Sequence, residues 1–267
     1  MAAPLISDTW ERGDPYEQYV GRWSRRVAPQ FLSWLNIPAG HRWLDVGCGT
    51  GPLSAAILDQ CAPVSVIGVE PSEGFLEQAK AQLGNRVLLR RGSAAAIPLD
   101  DRAVEVTVSG LVLNFVPNGL AAVSEMARVT ASGGTIAAYV WDYSGKMELI
   151  RHFWDAAVEL NPEAAKLDEG IRFPVCRPEA LTELFASAGL RGAQVTAIDI
   201  TTGFAGFEDY WRPFLGGQGP APAYAMALDN TARTHLADLI RGRLPLQADG
   251  SISLTARAWA VRAAVAS

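Results

Sequence analysis

Cysteine is scarce in this chain: three in 267 residues, Cys48, Cys61 and Cys176, far apart and with no CxxC or Cys/His spacing. That pattern argues against a disulfide framework and against a zinc centre, and it fits a reducing, cytoplasmic compartment. No metal site is expected. Positive charge is also short, with 23 Lys and Arg against 28 Asp and Glu and a formal net charge of -5. A surface of that sign has no general attraction for a phosphate backbone, so nucleic acid is not an expected partner. Arg22, Arg25 and Arg26, with Arg90 and Arg91 further on, are too few and scattered to make a basic footprint. No apolar run reaches the length of a membrane span. The opening "MAAPLISDTWERGDPYEQYV" has no basic stretch followed by an apolar one, so it does not read as a secretion signal. Internal repeats and low-complexity tracts are missing too.

What the chain does have is apolar material, 49% of its residues, and enough length to bury a substantial core. Short apolar runs alternate with helical patterns. "RWLDVG" (42–47), "VSVIGVE" (64–70), "RVLLRR" (86–91), "VEVTVSG" (104–110) and "TIAAYVW" (135–141) read as buried strands. Helix-length stretches at 52–61, 72–83 and 118–130 lie between them, the second opening on Ser72 as N-cap. Beyond residue 142 come a long amphipathic segment (145–167), a helix (178–189) and two more strands (193–201 and 251–264) placed at the sheet edge. A helical insertion, 207–244, separates those strands. The expected fold class is α/β: a doubly wound, mostly parallel, seven-stranded Rossmann-like sheet with helices on both faces and a helical lid. The expected division is an N-terminal helical cap (1–40), an α/β core (41–143), a lid segment (144–176) and a C-terminal part of the core (177–267) carrying the insertion.

Chemistry concentrates at "RWLDVGCGTGPLS", residues 42–54. In open α/β sheets ligands bind at the carboxyl ends of the strands, and Asp45-x-Gly47-x-Gly49-x-Gly51 follows the first of them. Glycine there lets the backbone turn tightly and lets a ligand approach where a Cβ would collide. A dinucleotide fingerprint wants G-x-G-x-x-G, but position 52 is Pro, which has no N–H to offer a pyrophosphate. A P-loop fails as well, since no Gly-Lys-Ser/Thr follows. Glu70 ends the next strand and is placed to accept hydrogen bonds from both hydroxyls of a ribose. Gly92-Ser93-Ala94 ends the third strand, and "VTVSGLVLNFVPN" (106–118) forms an apolar wall after the fourth.

With these motifs in order, the chain resembles the class I S-adenosylmethionine-dependent methyltransferases, in the branch similar to the ubiquinone/menaquinone C-methyltransferases. The resemblance covers roughly residues 16–143. It implies S-adenosyl-L-methionine as cofactor, with S-adenosyl-L-homocysteine as product. It implies that Asp45, Gly47, Cys48, Gly49 and Gly51 approach the methionine and ribose, that Glu70 holds the ribose, and that Pro71 and Ser72 lie by the adenosine. Where the family has Gly-Asp-Ala, this chain has Ser93 in place of the Asp, so only the backbone contact of Ala94 carries over fully. Ser109 and Leu111 carry over as wall residues, while Asn114 stands where a His is frequent and takes no catalytic role. "YEQYVGRWSR" resembles the family's aromatic-basic cap, implying Tyr19 and Arg22 as ligands of the methionine carboxylate.

The expected activity is methyl transfer to a small, apolar or aromatic metabolite. Alternatives are a cyclase or decarboxylase of the same fold that leaves the methyl group in place, and a non-catalytic cofactor-binding regulatory protein. His152 is the candidate general base, should the acceptor need one. Trp141, Asp142, Tyr143 and Trp211 are candidate acceptor-pocket residues. A small-molecule acceptor is the expected partner, and the sequence leaves monomer and homodimer equally open.

Overall fold

A computed structural model describes residues 20–217 and 219–266. Helix α1 (Arg22–Leu35) leads into β1 (Arg42–Val46), followed by α2 (Pro52–Gln60), β2 (Ser65–Glu70), α3 (Glu73–Leu83), β3 (Leu88–Arg91) and β4 (Val104–Gly110). Then come α4 (Gly119–Val129), β5 (Thr130–Trp141), α5 (Glu148–Leu160), α6 (Glu169–Arg172), α7 (Pro178–Ser187) and β6 (Arg191–Phe204). The remaining elements are α8 (Phe207–Trp211), α9 (Pro220–Ala227), α10 (Asn230–Arg243) and β7 (Ile252–Ala264). The strands form one seven-stranded sheet of order β3-β2-β1-β4-β5-β7-β6. Pairings from β3 through to β5 are parallel, and β7 runs antiparallel to β5. This is the Rossmann-like α/β architecture expected.

The order explains where a ligand would go. From β1 the chain steps outward to β2 and β3, then returns to the other side of β1 for β4 and β5. Right-handed crossovers therefore put α2 and α3 on one face and α4 on the other, and the carboxyl end of β1 lies at the switch point. The strands forming this centre are buried on both sides, which is why they read as continuous apolar runs: Trp43, Leu44 and Val46 in β1, Val104, Val106 and Val108 in β4.

Local signals set the helix starts. Ser72 caps α3, its Oγ accepting from the Phe75 N–H at 3.4 Å, and Asn118 Oδ1 caps α4 through the Ala121 N–H at 3.0 Å. Pro52 opens α2 at a position whose N–H would have had no partner.

Three expectations need correction. The segment 145–167 is two elements, because Pro162 forces Asn161 into extended backbone (φ -147°, ψ 103°) and ends α5. Strand β5 begins at Thr130 rather than 135: Gly133 and Gly134 pair with Val265, at 3.1 and 3.0 Å, so the glycines extend the sheet instead of turning. The last strands do not both lie at the edge. Strand β7 is inserted between β5 and β6, with Thr135 to Trp141 facing Ala264 to Ala258. Most of its side chains are at least half-buried on either face, as an inner strand needs, whereas β6 alternates buried and exposed and takes the edge.

Cα proximity groups the chain into two compact units. The sheet unit comprises residues 24–141, 175–198 and 258–266 among those described. Its core includes Phe31, Trp43, Leu44, Ile57, Met126 and Phe185, all fully buried, with Phe31 stacked obliquely on Tyr139 at 4.7 Å. The helical unit comprises residues 20–23, 142–174 and 199–257 among those described. An aromatic cluster centres it: Phe153 and Phe214 stack at 4.6 Å, and buried Tyr210 donates its hydroxyl to the Leu149 carbonyl at 2.7 Å.

Candidate functional site

The glycine loop leaves β1 and folds back onto the end of β2. The Gly47 and Cys48 N–H groups both donate to the Val69 carbonyl, at 2.7 and 3.1 Å, and the Gly51 N–H closes a turn onto the Cys48 carbonyl at 2.9 Å. Gly47, Gly49 and Gly51 all have positive φ, at 73°, 54° and 94°. Their surroundings differ. A Cβ on Gly47 would meet Val112 at 2.6 Å and one on Gly51 would meet Leu83 at 2.5 Å, whereas among the described residues nothing lies within 4 Å of a Cβ placed on Gly49. Gly47 and Gly51 are glycine so that the loop can pack down, and Gly49 presents bare main chain to open space.

Glu70, at the tip of β2, ties this loop to the next helix. Its Oε2 accepts from the Gly49 N–H at 3.1 Å and its Oε1 from the Ser72 N–H at 3.0 Å. Burial raises its pKa, and the two N–H bonds work against that rise. The carboxylate is thereby held in one orientation with lone pairs to spare. The third expected piece joins here, because the Gly92 N–H donates to the Glu70 carbonyl at 3.2 Å. Ser93, exposed, and Ala94, half-buried, follow directly. Pro71 is exposed, and Ser72 serves as the N-cap of α3.

Asp45 is buried beneath the loop. Its Oδ2 accepts from the Ser54 hydroxyl at 2.7 Å, while Oδ1 is buried without a hydrogen-bond partner among the described residues. Burial pushes its pKa up to about 7 against the Ser54 hydrogen bonds, and the neighbouring Glu70 charge adds to the rise. Cys48 fills the space against Gly68, with Sγ 2.9 Å from where a Cβ there would sit. Burial holds its thiol far above the usual range, so it is no nucleophile.

At the end of β4, Ser109 is fully buried and gives its hydroxyl to the Val46 carbonyl at 2.9 Å, fastening β4 to the root of the loop. Leu111 stands at φ 62°, a left-handed backbone that costs a bulky residue energy, and its N–H donates to the Tyr139 carbonyl at 2.7 Å. Asn114 Nδ2 and Trp141 Nε1 are buried donors without partners among the described residues. Ser54 and Val112 escaped the sequence reading. Nothing in the sequence marks them, because each earns its place only through what the fold lays beside it.

Asp45, Gly47, Cys48, Gly49, Gly51, Glu70, Pro71, Ser72, Ser93, Ala94, Ser109, Leu111 and Trp141 all belong to the sheet unit. Tyr19 lies outside the described residues. Arg22, His152, Asp142, Tyr143 and Trp211 belong to the helical unit. Arg22 there donates to Asp209 Oδ1 at 3.1 Å and lies over the Trp23 and Phe204 rings at 4.4 and 4.9 Å. Asp142 closes a turn, its Oδ2 accepting from the Lys146 N–H at 2.9 Å. The Tyr143 carbonyl accepts from Arg151 at 2.9 Å, and Trp211 stacks on Phe207 at 6.2 Å. Burial lowers the His152 pKa, which favours the neutral imidazole a base requires.

A glycine loop at the switch point of this sheet, with an acid held against it from the next strand, is the ligand-binding arrangement of a Rossmann-like α/β fold. Residues 44–138 match the family described as a methyltransferase domain, which bears out the resemblance drawn from the motifs. An uncharacterized methyltransferase of Mycobacterium tuberculosis is 33% identical over 114 residues, 43% of this chain and 45% of that protein. The demethylmenaquinone methyltransferase of Staphylococcus aureus is 32% identical over 117 residues, 43% of this chain and 47% of that one. The matches thus span less than half the length of these curated relatives. Among solved structures, phosphoethanolamine N-methyltransferase 2 of Haemonchus contortus, in complex with phosphomonomethylethanolamine and S-adenosylhomocysteine, has a TM-score of 0.58 at 14% identity. That likeness, one of fold, covers 95% of this chain and 57% of the other.

Proposed function

We propose that this chain binds S-adenosylmethionine at the carboxyl rim of β1 and β2 and transfers its methyl group to a small, apolar or aromatic metabolite. One observation carries the reading: Gly49 offers main chain to open space while Glu70, hydrogen-bonded to that same glycine, keeps lone pairs for a ribose. When bound, the cofactor supplies a methyl group on a cationic sulfonium. Glu70 accepts from the sugar hydroxyls, and Pro71, Ser72 and the Ala94 backbone border the adenosine. Asp45 supports the loop from below, with an oxygen unpartnered among the described residues that suits a site built for a polar ligand.

The residues then act by position. Holding the donor at a fixed point and excluding water lets proximity supply on the order of 7–11 kcal/mol of the barrier reduction. No universal base is needed, and His152 would serve only an acceptor that must lose a proton. An apolar acceptor is inferred from the chain's eight Trp, six Tyr and nine Phe. The three cysteines, all buried and without ligand spacing in the sequence, support a reducing, cytoplasmic setting.

Isothermal titration with S-adenosylhomocysteine tests the cofactor reading, and binding in the micromolar range is expected. Transfer of labelled methyl from S-adenosylmethionine into a metabolite fraction tests the reaction. Binding without transfer would favour a cyclase, decarboxylase or regulatory protein. Stabilisation by NADH and not by S-adenosylhomocysteine would overturn the reading.

A further inference from the structure

Wholly within the helical unit, a cavity of about 290 Å³ opens between α5, α9 and α10. Ala157 and Ala232 leave the space, and Leu160, Leu228 and Leu236 form apolar walls. Asn161, Tyr224 and His235 supply the polar groups in its lining. Well-packed interiors keep few voids larger than a water molecule. This volume lies close to the lower end of ligand pockets, roughly 300 Å³, and it would take one or two fused rings.

The cavity has a built frame. Arg233 reaches back from α10 to the carbonyls ending α9, donating to Ala225 at 2.9 Å, Met226 at 3.3 Å and Leu228 at 2.6 Å. That clamp holds the turn carrying Leu228. On the other side Asn161 Oδ1 is taken by the Glu163 N–H at 3.1 Å, which leaves its amide NH₂ as a donor in the lining. Tyr224 brings a phenol O–H, a donor, to the same lining. Tyr224 is 8% exposed, and its ring lies edge-on to Phe153 at 6.1 Å and 5.6 Å from Trp154, so its position is fixed by packing.

From these features we infer a second small-molecule site here, for a one- or two-ring aromatic compound bearing a single acceptor oxygen that the Tyr224 hydroxyl recognises. Apolar walls on most sides favour a ring over a cluster of waters, which would need two to four polar partners each. The inference stands on the helical unit alone and does not rest on the cofactor reading.

The test uses the full chain with phenol, 2-naphthol and toluene as probes, followed by saturation-transfer NMR and titration calorimetry. Phenol and 2-naphthol are expected to bind at millimolar concentration or below. Ala232→Phe, which fills the cavity, should weaken both by about tenfold or more. Tyr224→Phe should weaken phenol several-fold and leave toluene unchanged. His235→Trp, at an exposed lining position, gives a second obstruction should Ala232→Phe fail to fold. No transfer to any probe, or equal binding to wild type and to either folded obstructed variant, would overturn the proposal. So would phenol binding indifferent to Tyr224→Phe.

Discussion

Glu70 is the residue on which the proposed chemistry turns, and its surroundings make two outcomes predictable. Glu70→Ala should weaken S-adenosylhomocysteine binding by about 1–3 kcal/mol through lost charge-assisted hydrogen bonds, read by calorimetry. Because burial raises its pKa, wild-type affinity should fall as pH drops through a value above the usual carboxylate range. Glu70→Gln, with no proton to gain, should show a flatter profile. Asp45 gives a stability prediction of determined sign. Its folded pKa of about 7 exceeds the usual 3.8, so between those values the native state holds a proton that the unfolded chain has released. Stability therefore declines as pH rises across that window and levels off above it. Urea midpoints of wild type and Asp45→Asn at pH 5 and pH 8 check this, and the variant should lose less. The sequence marked both acids by position, Asp45 before the glycines and Glu70 at a strand tip. It had no means of showing the Ser54 hydroxyl against Asp45 or the Gly49 N–H on Glu70, since those partners arrive through folding.

At the scale of the element, the glycine loop separates packing from binding. Gly47→Ala would set a methyl group into Val112 on a positive-φ backbone, so loss of both stability and cofactor binding is expected. Gly49→Ala meets nothing among the described residues. Its cost to folding should stay near the roughly 1–2 kcal/mol of a left-handed backbone, while cofactor binding is lost as the new methyl enters the ligand's space. Thermal melts paired with titrations of the two variants distinguish the roles, and equal binding by Gly49→Ala would remove the loop from its assigned function. The strand and helix spans were legible to within a few residues because β1, β2 and β4 carry buried runs and α3 carries its own Ser72 cap. The start of β5 was not legible. Gly133 and Gly134 look like a turn until Val265 arrives to pair with them.

For the whole molecule, a ligand that binds only the folded state stabilises it in proportion to its occupancy. At one hundred times its dissociation constant S-adenosylhomocysteine should add about 2.7 kcal/mol, visible as a rise in melting temperature that NADH does not reproduce. The three thiols give an independent check of the packing. Cys48, Cys61 and Cys176 are all buried, so a thiol reagent should label few sites in the native protein and three in guanidinium.

The sequence by itself determined the fold class, the location of the glycine loop and the acid that follows it. Those depend on periodicity and on conformations that glycine alone adopts cheaply, both properties of short stretches of chain. Only the tertiary structure decided that β7 slips between β5 and β6, that Gly49 rather than its neighbours faces open space, and that Arg22 meets Asp209. Each of these is a contact between residues distant in sequence, and a contact of that kind is set by how packed elements fill space, which no local pattern records.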